Sequence, residues 1–317
     1  MAPRPQPRTV VSATELAACA DVVGPVWAPA PASPSTSAQL TPPIVLSYAT
    51  SPPPRRWLLG LTAAFRGWPI VLAGQGHAGF TYKTLSVPKV FGLRRALQVI
   101  HHLRPASLVL IADAGDTVLL SAFSSADASL AASAVWRAHE RVVLGGDASL
   151  SAATAASEAH LARTVIAQAE CASFPKCFDA LYVAASSGLP RLRACLASKP
   201  TCYGNSGAFL GRAGALHGTF EGMVRLHVRW SVALAAAAGP GEKPPQTLRG
   251  VAVAPGVTGD VGKTERLEDQ ALFNMLFVNQ LAENVSIVLD SDSDAFLSTR
   301  DCRGAPSPGN VTKQRKF

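Results

Sequence analysis

Long apolar runs, zinc-finger cysteine spacing and aromatic residues are missing or scarce in this chain of 317 residues. No apolar run approaches the roughly 20 residues that a membrane-spanning helix needs, so we predict no transmembrane segment. No two of the six cysteines form a Cys-x-x-Cys pair, which argues against a structural zinc site. Aromatic residues make up 7% of the chain and no basic stripe is interleaved with them. We therefore predict no nucleic-acid partner.

What is present is a large apolar fraction and a basic charge balance. Hydrophobic residues make up 48% of the chain, enough to bury a core in one large domain or two small ones. The formal net charge is +8, which suits a polyanionic ligand such as a nucleotide diphosphate.

Four of the six cysteines fall within residues 171–202. This clustering predicts local disulfides formed in an oxidising compartment, and ordinary buried thiols are the alternative. Asn284-Val285-Ser286 and Asn310-Val311-Thr312 have the form of N-glycosylation acceptors, which agrees weakly with a secretory protein.

Composition divides the chain into three parts. Residues 1–43 contain nine prolines and are dominated by Pro, Ala, Ser and Thr, so we predict a disordered leader. This leader has a basic start but no apolar core of signal-peptide type. Residues 44–300 are expected to form one domain. A flexible basic tail, which a truncation would have shortened, is expected at 301–317.

Strand and helix patterns alternate in the first half of that domain. Strands are expected at residues 44–50, 69–73 and 107–112. Helices are expected at 55–67 and 89–102, with Pro88 in the first turn of the second. The near-continuous apolar run at 107–112 is typical of a strand buried on both faces of a parallel sheet. An α/β architecture with a mostly parallel central sheet flanked by helices follows.

The second half of the domain carries weaker patterns. Helices are expected at residues 147–163, 215–238 and 265–279, and strands at 165–167 and 285–289. The cysteine-bearing residues 171–202 are expected to form a loop, and residues 204–207 a turn.

Two aspartates follow the most apolar strand, in the sequence Asp113-Ala114-Gly115-Asp116. Ligands of open α/β sheets bind at the carboxyl ends of the strands. Two carboxylates in this position can hold Mg²⁺ or Mn²⁺, with substrate phosphates completing the shell. The alternative is a pair of turn-forming or helix-capping aspartates.

Two other motifs fit poorly. Haloacid-dehalogenase-type phosphohydrolases carry Asp-x-Asp after such a strand, and the second of those positions is Gly115 here. The loop at residues 74–79 matches Gly-x-Gly-x-x-Gly, but a helix does not follow it directly and no acidic residue lies about 20 positions on. A dinucleotide-binding site is therefore disfavoured.

Several segments of the chain occur in an order that is typical of one enzyme family. These segments are Ala49-Thr50, the glycine-rich loop leading to Lys89, the stretch around Asp113 and Asp116, Ala169-Glu170-Cys171, Asn205-Ser206-Gly207-Ala208-Phe209, Glu268-Asp269-Gln270 and Val288-Leu289-Asp290. In this order they resemble the glycosyltransferase domain of the procollagen lysyl hydroxylases and of the related collagen galactosyl- and glucosyltransferases. The resemblance covers roughly residues 44–300.

The resemblance implies a single GT-A-like (Rossmann-like) nucleotide-sugar-binding domain that depends on Mn²⁺ or Mg²⁺. It further implies transfer of galactose or glucose from a UDP-sugar donor to a hydroxyl acceptor, such as a hydroxylated protein side chain or a glycan. Residence in the secretory pathway, in the endoplasmic reticulum or Golgi, is implied as well.

The family's functional residues carry over to matching positions in two groups. By resemblance, Asp113 and Asp116 hold the cation, while Thr50 and Lys89 lie near the nucleotide or its phosphates. A solvated helix charge is the alternative for Lys89.

The second group surrounds the donor sugar. Asn205, Ser206 and Gly207 would line the sugar pocket, with a simple glycine-containing turn as the alternative. Asp269 is the candidate catalytic carboxylate, which orients the sugar or accepts the proton of the acceptor hydroxyl. Its alternative is a helix N-terminal acid in favourable contact with the helix dipole.

This chain also departs from the family pattern. Gly115 replaces an aromatic residue before the second metal aspartate, and Ala208 replaces a glycine. None of the seven histidines lies after residue 289, where relatives have a metal-binding His-Gly-Asn-Gly segment. The missing histidine ligand has three explanations: the chain is truncated, water and phosphate take the place of the histidine, or the protein is inactive. A catalytically inactive binding module is therefore the main alternative, and a metal-dependent phosphohydrolase a distant one.

Overall fold

A six-stranded sheet organises the part of the chain that the computed structural model describes, which is residues 42–50, 58–65, 67–74, 86–113, 128–144, 155–170, 179–199, 201–237, 268–279, 284–292 and 295–296. The strands are β1 (Ile44–Tyr48), β2 (Ile70–Ala73), β3 (Leu108–Ala112), β4 (Thr164–Glu170), β5 (Tyr203–Arg212) and β6 (Ser286–Asp290). They lie in the order β2-β1-β3-β5-β4-β6. Strand β5 is antiparallel to both of its neighbours, and the other five share one direction. This confirms the mostly parallel α/β sheet and is compatible with a Rossmann-like fold.

Helices connect and cover these strands. Within the described residues they are α1 (Leu58–Phe65), α2 (Ser86–Leu103), α3 (Ala128–Leu144), α4 (Ala155–Arg163), α5 (Asp179–Ala185), α6 (Pro190–Ser198), α7 (Ala213–Ala237) and α8 (Asp269–Val278). No helix of the described segments is both long and apolar enough to cross a membrane.

The strands bury side chains on both faces of the sheet. Leu46 of β1 and Val109 of β3 belong to one core cluster, while Val45 and Leu110 belong to a second. Successive side chains of a strand point to opposite faces, so these continuous apolar runs supply both clusters at once. The first cluster includes residues of α2, α7 and α8, and the second includes residues of α1 and α3.

The expected turn at residues 204–207 is wrong, because these residues belong to β5, which is continuous from Tyr203 to Arg212. Gly204 pairs with Ala169 of β4, and the carbonyl of Gly207 accepts a hydrogen bond from Asp113 after β3, which extends the strand through residues of weak strand propensity. A Cβ atom on Gly204 would lie 2.4 Å from Cε1 of Phe273. Close packing against α8, rather than a turn, requires glycine there.

The cysteine-bearing region is also more regular than the loop that the sequence predicts. Residues 171–178 lie outside the described part, but α5 and α6 occupy much of the remainder. Pro190 begins α6, where a proline costs no helical hydrogen bond. Cys195 and Cys202 form a disulfide with a Cα–Cα distance of 5.7 Å, which confirms the expected local disulfide.

Most other predicted elements are found close to their expected positions. Helix α2 begins at Ser86 and holds Pro88 in its first turn, and α7 and α8 match the helices expected in the second half. Most of the predicted leader and all of the predicted tail at 301–317 lie outside the described residues.

Candidate functional site

The ammonium group of Lys89 lies between two carboxylates. Its Nζ atom is 2.7 Å from Oδ1 of Asp113 and 2.8 Å from Oδ2 of Asp269. It also donates a longer hydrogen bond of 3.4 Å to the carbonyl of Ser206. Four residues that are far apart in sequence therefore meet around one nitrogen atom at the carboxyl end of β3.

Helix α2 places Lys89 in an electrostatically unfavourable position. Lys89 is in the first turn of the helix, where the macrodipole favours negative charge, and that turn contains no acidic residue. Val90 and Leu93 are buried in the core and fix the helix on the sheet. The two carboxylates offset the unfavourable dipole, so Lys89 is not a solvated helix charge.

Asp113 is held by the backbone of the neighbouring strand. Its N–H donates a 3.0 Å hydrogen bond to the carbonyl of Gly207, which continues the pairing of Ala112 with Ala208. The hydroxyl of Ser47 in β1 donates a 2.6 Å hydrogen bond to the carbonyl of Ala112. The backbone before Asp113 is therefore fixed from both sides, while its side chain remains 44% exposed.

Gly207 is surrounded by polar atoms of the site. A Cβ atom at this position would lie 2.7 Å from Oδ1 of Asn205 and 3.1 Å from Oδ2 of Asp113. The N–H of Gly207 donates a hydrogen bond to the Asn205 side chain. Glycine thus allows the strand backbone to approach Asp113 closely.

Asp269 begins α8 and joins the site through two contacts. One is the ion pair with Lys89, and the other is a 3.1 Å hydrogen bond from the hydroxyl of Ser206. Its position in the first turn is also favourable to the helix dipole. Asp269 therefore both interacts favourably with the helix dipole and takes part in the site.

The charges of the site keep Lys89 protonated. Burial lowers the pKa of Lys89, but the carboxylates of Asp269 and Asp113 raise it by more, so the net pKa is above its usual range. With both carboxylates ionised, the three side chains carry a net charge of −1. The site is therefore mildly acidic.

A buried hydrogen-bond network behind the site was not anticipated from the sequence. The hydroxyl of Tyr182 accepts a 2.8 Å hydrogen bond from the N–H of Gly204 and donates a 2.6 Å bond to Oδ1 of Asn274. Gln270 donates a 3.2 Å hydrogen bond to the carbonyl of Gly204. These bonds fasten α8 to the start of β5, and so Asp269 to Ser206. Asn274 could have indicated this network in the sequence, because it is a polar residue within an otherwise apolar helix segment and buried polar groups need hydrogen-bond partners.

Two predicted site residues remain, Thr50 and Asp116. Thr50 is half-buried and follows β1, two strands' width from β5 in the sheet order. It makes no hydrogen bond within the described part of the chain. Asp116 lies outside the described residues.

Of the two predicted metal ligands, the described part of the chain contains Asp113. The described segments contain no group of three His, Cys, Asp or Glu side chains that could enclose a metal ion. Mg²⁺ and Mn²⁺, however, are commonly bound through one or two carboxylates together with substrate phosphates. The half-exposed carboxylate of Asp113 suits such an open site, and Asp116 is the candidate for the second carboxylate.

No protein-family model matches this chain, and no curated protein matches it. The chemistry of the site and the order of the sequence motifs therefore carry the functional interpretation.

Proposed function

We propose that this protein is a metal-dependent glycosyltransferase of GT-A type that transfers a hexose, galactose or glucose, from a UDP-sugar to a hydroxyl acceptor. One observation carries the proposal. Separate sequence motifs assigned Asp113 to the metal, Lys89 and Ser206 to the donor and Asp269 to catalysis. These four residues meet within hydrogen-bonding distance at a strand end. Random surface residues of four segments have no reason to converge in this way.

Each side chain has a chemical task under this proposal. Asp113, with Asp116, would hold the divalent cation, which when bound neutralises negative charge on the departing diphosphate. Lys89 supplies a further positive charge next to the phosphates. The acceptor oxygen forms a bond to the anomeric carbon of the sugar, and the bond from that carbon to the diphosphate oxygen breaks.

Asp269 and the start of β5 would position the sugar. Asn205 offers its side-chain amide to the sugar hydroxyls, and Gly207, which has no side chain, leaves the strand backbone accessible to them. The carboxylate of Asp269 orients the sugar or takes the acceptor proton. Ser206 holds Asp269 in place through its hydroxyl.

A UDP-release assay tests the proposal. Purified protein is incubated with Mn²⁺ and, in turn, UDP-galactose, UDP-glucose and UDP-N-acetylglucosamine, with and without a hydroxylysine-containing peptide. Asp113→Ala and Asp116→Ala are expected to lower UDP release at least about 100-fold, the scale for removing a main electrostatic contact to a transition state.

Asp292→Asn is the matched control. This aspartate pairs with Lys199 after edge strand β6, and its side chain is 63% exposed. Its removal is expected to leave turnover unchanged. Turnover that is the same in wild type and in both site variants would reject the metal site.

A second candidate is a glycosyltransferase-like module that binds nucleotide without transferring sugar. The observation that favours it is the Lys89–Asp113 ion pair, which occupies one of the oxygens that a catalytic cation would use. Binding of UDP that is insensitive to Mn²⁺, together with no sugar transfer from any donor, would support this candidate over the enzyme.

A further inference from the structure

The Lys89 ammonium is surrounded by oxygen atoms from three different elements. Its neighbours are Oδ1 of Asp113 after β3, Oδ2 of Asp269 in α8 and the carbonyl of Ser206 in β5, at 2.7, 2.8 and 3.4 Å. An ammonium group has three N–H donors, so these acceptors use all of them. The Lys89 side chain is only 14% exposed.

This set of oxygens is also the kind that a hard divalent cation selects. The carboxylate of Asp113 cannot give full attraction to two cations at once, because an ammonium at 2.7 Å repels a divalent ion on the same group. Lys89 and the metal therefore compete for Asp113. The competition disappears only when the ammonium has another anion to bind.

We propose that Lys89 is a resident counter-ion that keeps divalent cations off Asp113 until a diphosphate draws its ammonium away. The inference rests on the proposed function and adds an order of binding to it. The flexible four-carbon stem of lysine allows this exchange, which a rigid guanidinium would resist. Asp269 stays held by the Ser206 hydroxyl at 3.1 Å when the ammonium leaves.

A purely structural ion pair would behave differently. UDP would then change the Mn²⁺ affinity of wild type and of a Lys89 variant by the same factor. Under competition, loss of Lys89 raises cation affinity in the absence of nucleotide, and UDP raises the affinity of wild type more than that of the variant, because only wild type has an ammonium to release.

The test measures Mn²⁺ binding in the absence of nucleotide, by the electron paramagnetic resonance signal of free Mn²⁺. Lys89→Met is expected to bind Mn²⁺ at least about 10-fold more tightly than wild type, because a positive charge next to the carboxylates is removed. Arg94→Met is the matched control, since Arg94 lies on the same helix and pairs with Glu221 at 2.9 Å instead. It is expected to bind Mn²⁺ as wild type does.

Lys89→Gln provides a second variant, because it keeps N–H donors without the charge and is used if Lys89→Met does not fold. Equal or weaker Mn²⁺ binding by the folded Lys89 variants overturns the inference. Failure of the proposed function has a different signature, in which UDP neither binds to wild type nor raises its Mn²⁺ affinity. Tighter binding in the variants, together with a UDP-dependent rise that is larger in wild type than in the variants, supports both; a rise of equal size in all of them overturns the inference.

Discussion

The N–H of Asp113 donates a 3.0 Å hydrogen bond to the carbonyl of Gly207, which joins the end of β3 to the antiparallel strand β5. A candidate metal ligand and a candidate sugar-binding glycine are thereby fixed to each other through the backbone. Their relative position does not depend on side-chain rotamers, so a small change at Gly207 affects Asp113 directly.

Gly207→Ala is expected to impair ligand binding more than folding. The new methyl group would lie 2.7 Å from Oδ1 of Asn205 and 3.1 Å from Oδ2 of Asp113, and both side chains must move. Because these are the ends of side chains, the fold can adjust, but a displacement near 1 Å in such a site costs on the order of 100-fold in rate. The measurements are kcat/KM for UDP release and the urea-unfolding midpoint.

Gly188→Ala is the control for this substitution. A Cβ atom there would have its nearest neighbour at 3.8 Å, which is ordinary contact. Both measurements are expected to match wild type. A Gly207→Ala protein with full activity would show that the strand backbone does not approach the ligand.

Tyr182→Phe is expected to lower the free energy of unfolding by about 1–3 kcal/mol, the cost of leaving buried polar groups unsatisfied. The hydroxyl is fully buried, and both the Gly204 N–H and the Asn274 side chain lose a partner without it. Urea denaturation followed by circular dichroism measures the change. Val183→Ala, at a neighbouring position that is 51% exposed, should stay within about 0.5 kcal/mol of wild type. Equal effects of the two substitutions would argue against a structural role for the Tyr182 hydroxyl.

His139 is expected to make the protein less stable in mild acid. Burial lowers the pKa of His139 from 6.5 to about 4 in the folded protein, despite a contact with the carbonyl of Thr164. Between these two pKa values, His139 is protonated in the unfolded chain and neutral in the folded chain. Stability contributed by neutral His139 is complete above pH 6.5 and is lost as the pH falls toward 4, by up to about 3 kcal/mol for this pKa difference.

Urea denaturation at pH 7 and at pH 5 measures this dependence. His139→Gln is expected to show a smaller loss of unfolding free energy between the two pH values than wild type. His160→Gln, at an exposed position of α4, is expected to keep the wild-type loss. The same loss in all three proteins would assign the acid sensitivity to other groups.

Local sequence pattern was sufficient to predict the strands that consist of continuous apolar runs. β1 and β3 are buried at every position, so their composition alone marks them as central strands. β5 was not predictable in the same way. Its residues Gly204 to Gly207 have turn propensity. The pairing of Gly204 with Ala169 of β4 and the hydrogen bond from Asp113 to Gly207 extend the strand through them.

The same difference separates the site residues. The strand-end position singled out Asp113, and the order of the sequence motifs singled out Lys89 and Asp269. Their mutual contacts were not visible, since they depend on how α2 and α8 pack onto the sheet. The Tyr182 network escaped prediction for that reason as well.

The sequence by itself determined the α/β architecture, the buried central strands and the chemical types available at the carboxyl end of β3. Those properties depend on the order and polarity of neighbouring residues, so sequence patterns are sufficient to predict them. Only the tertiary structure decided that one ammonium bridges Asp113 and Asp269, at 2.7 and 2.8 Å. The partners lie 24 and 180 residues from Lys89 in the chain, and no local rule specifies contacts at such separations.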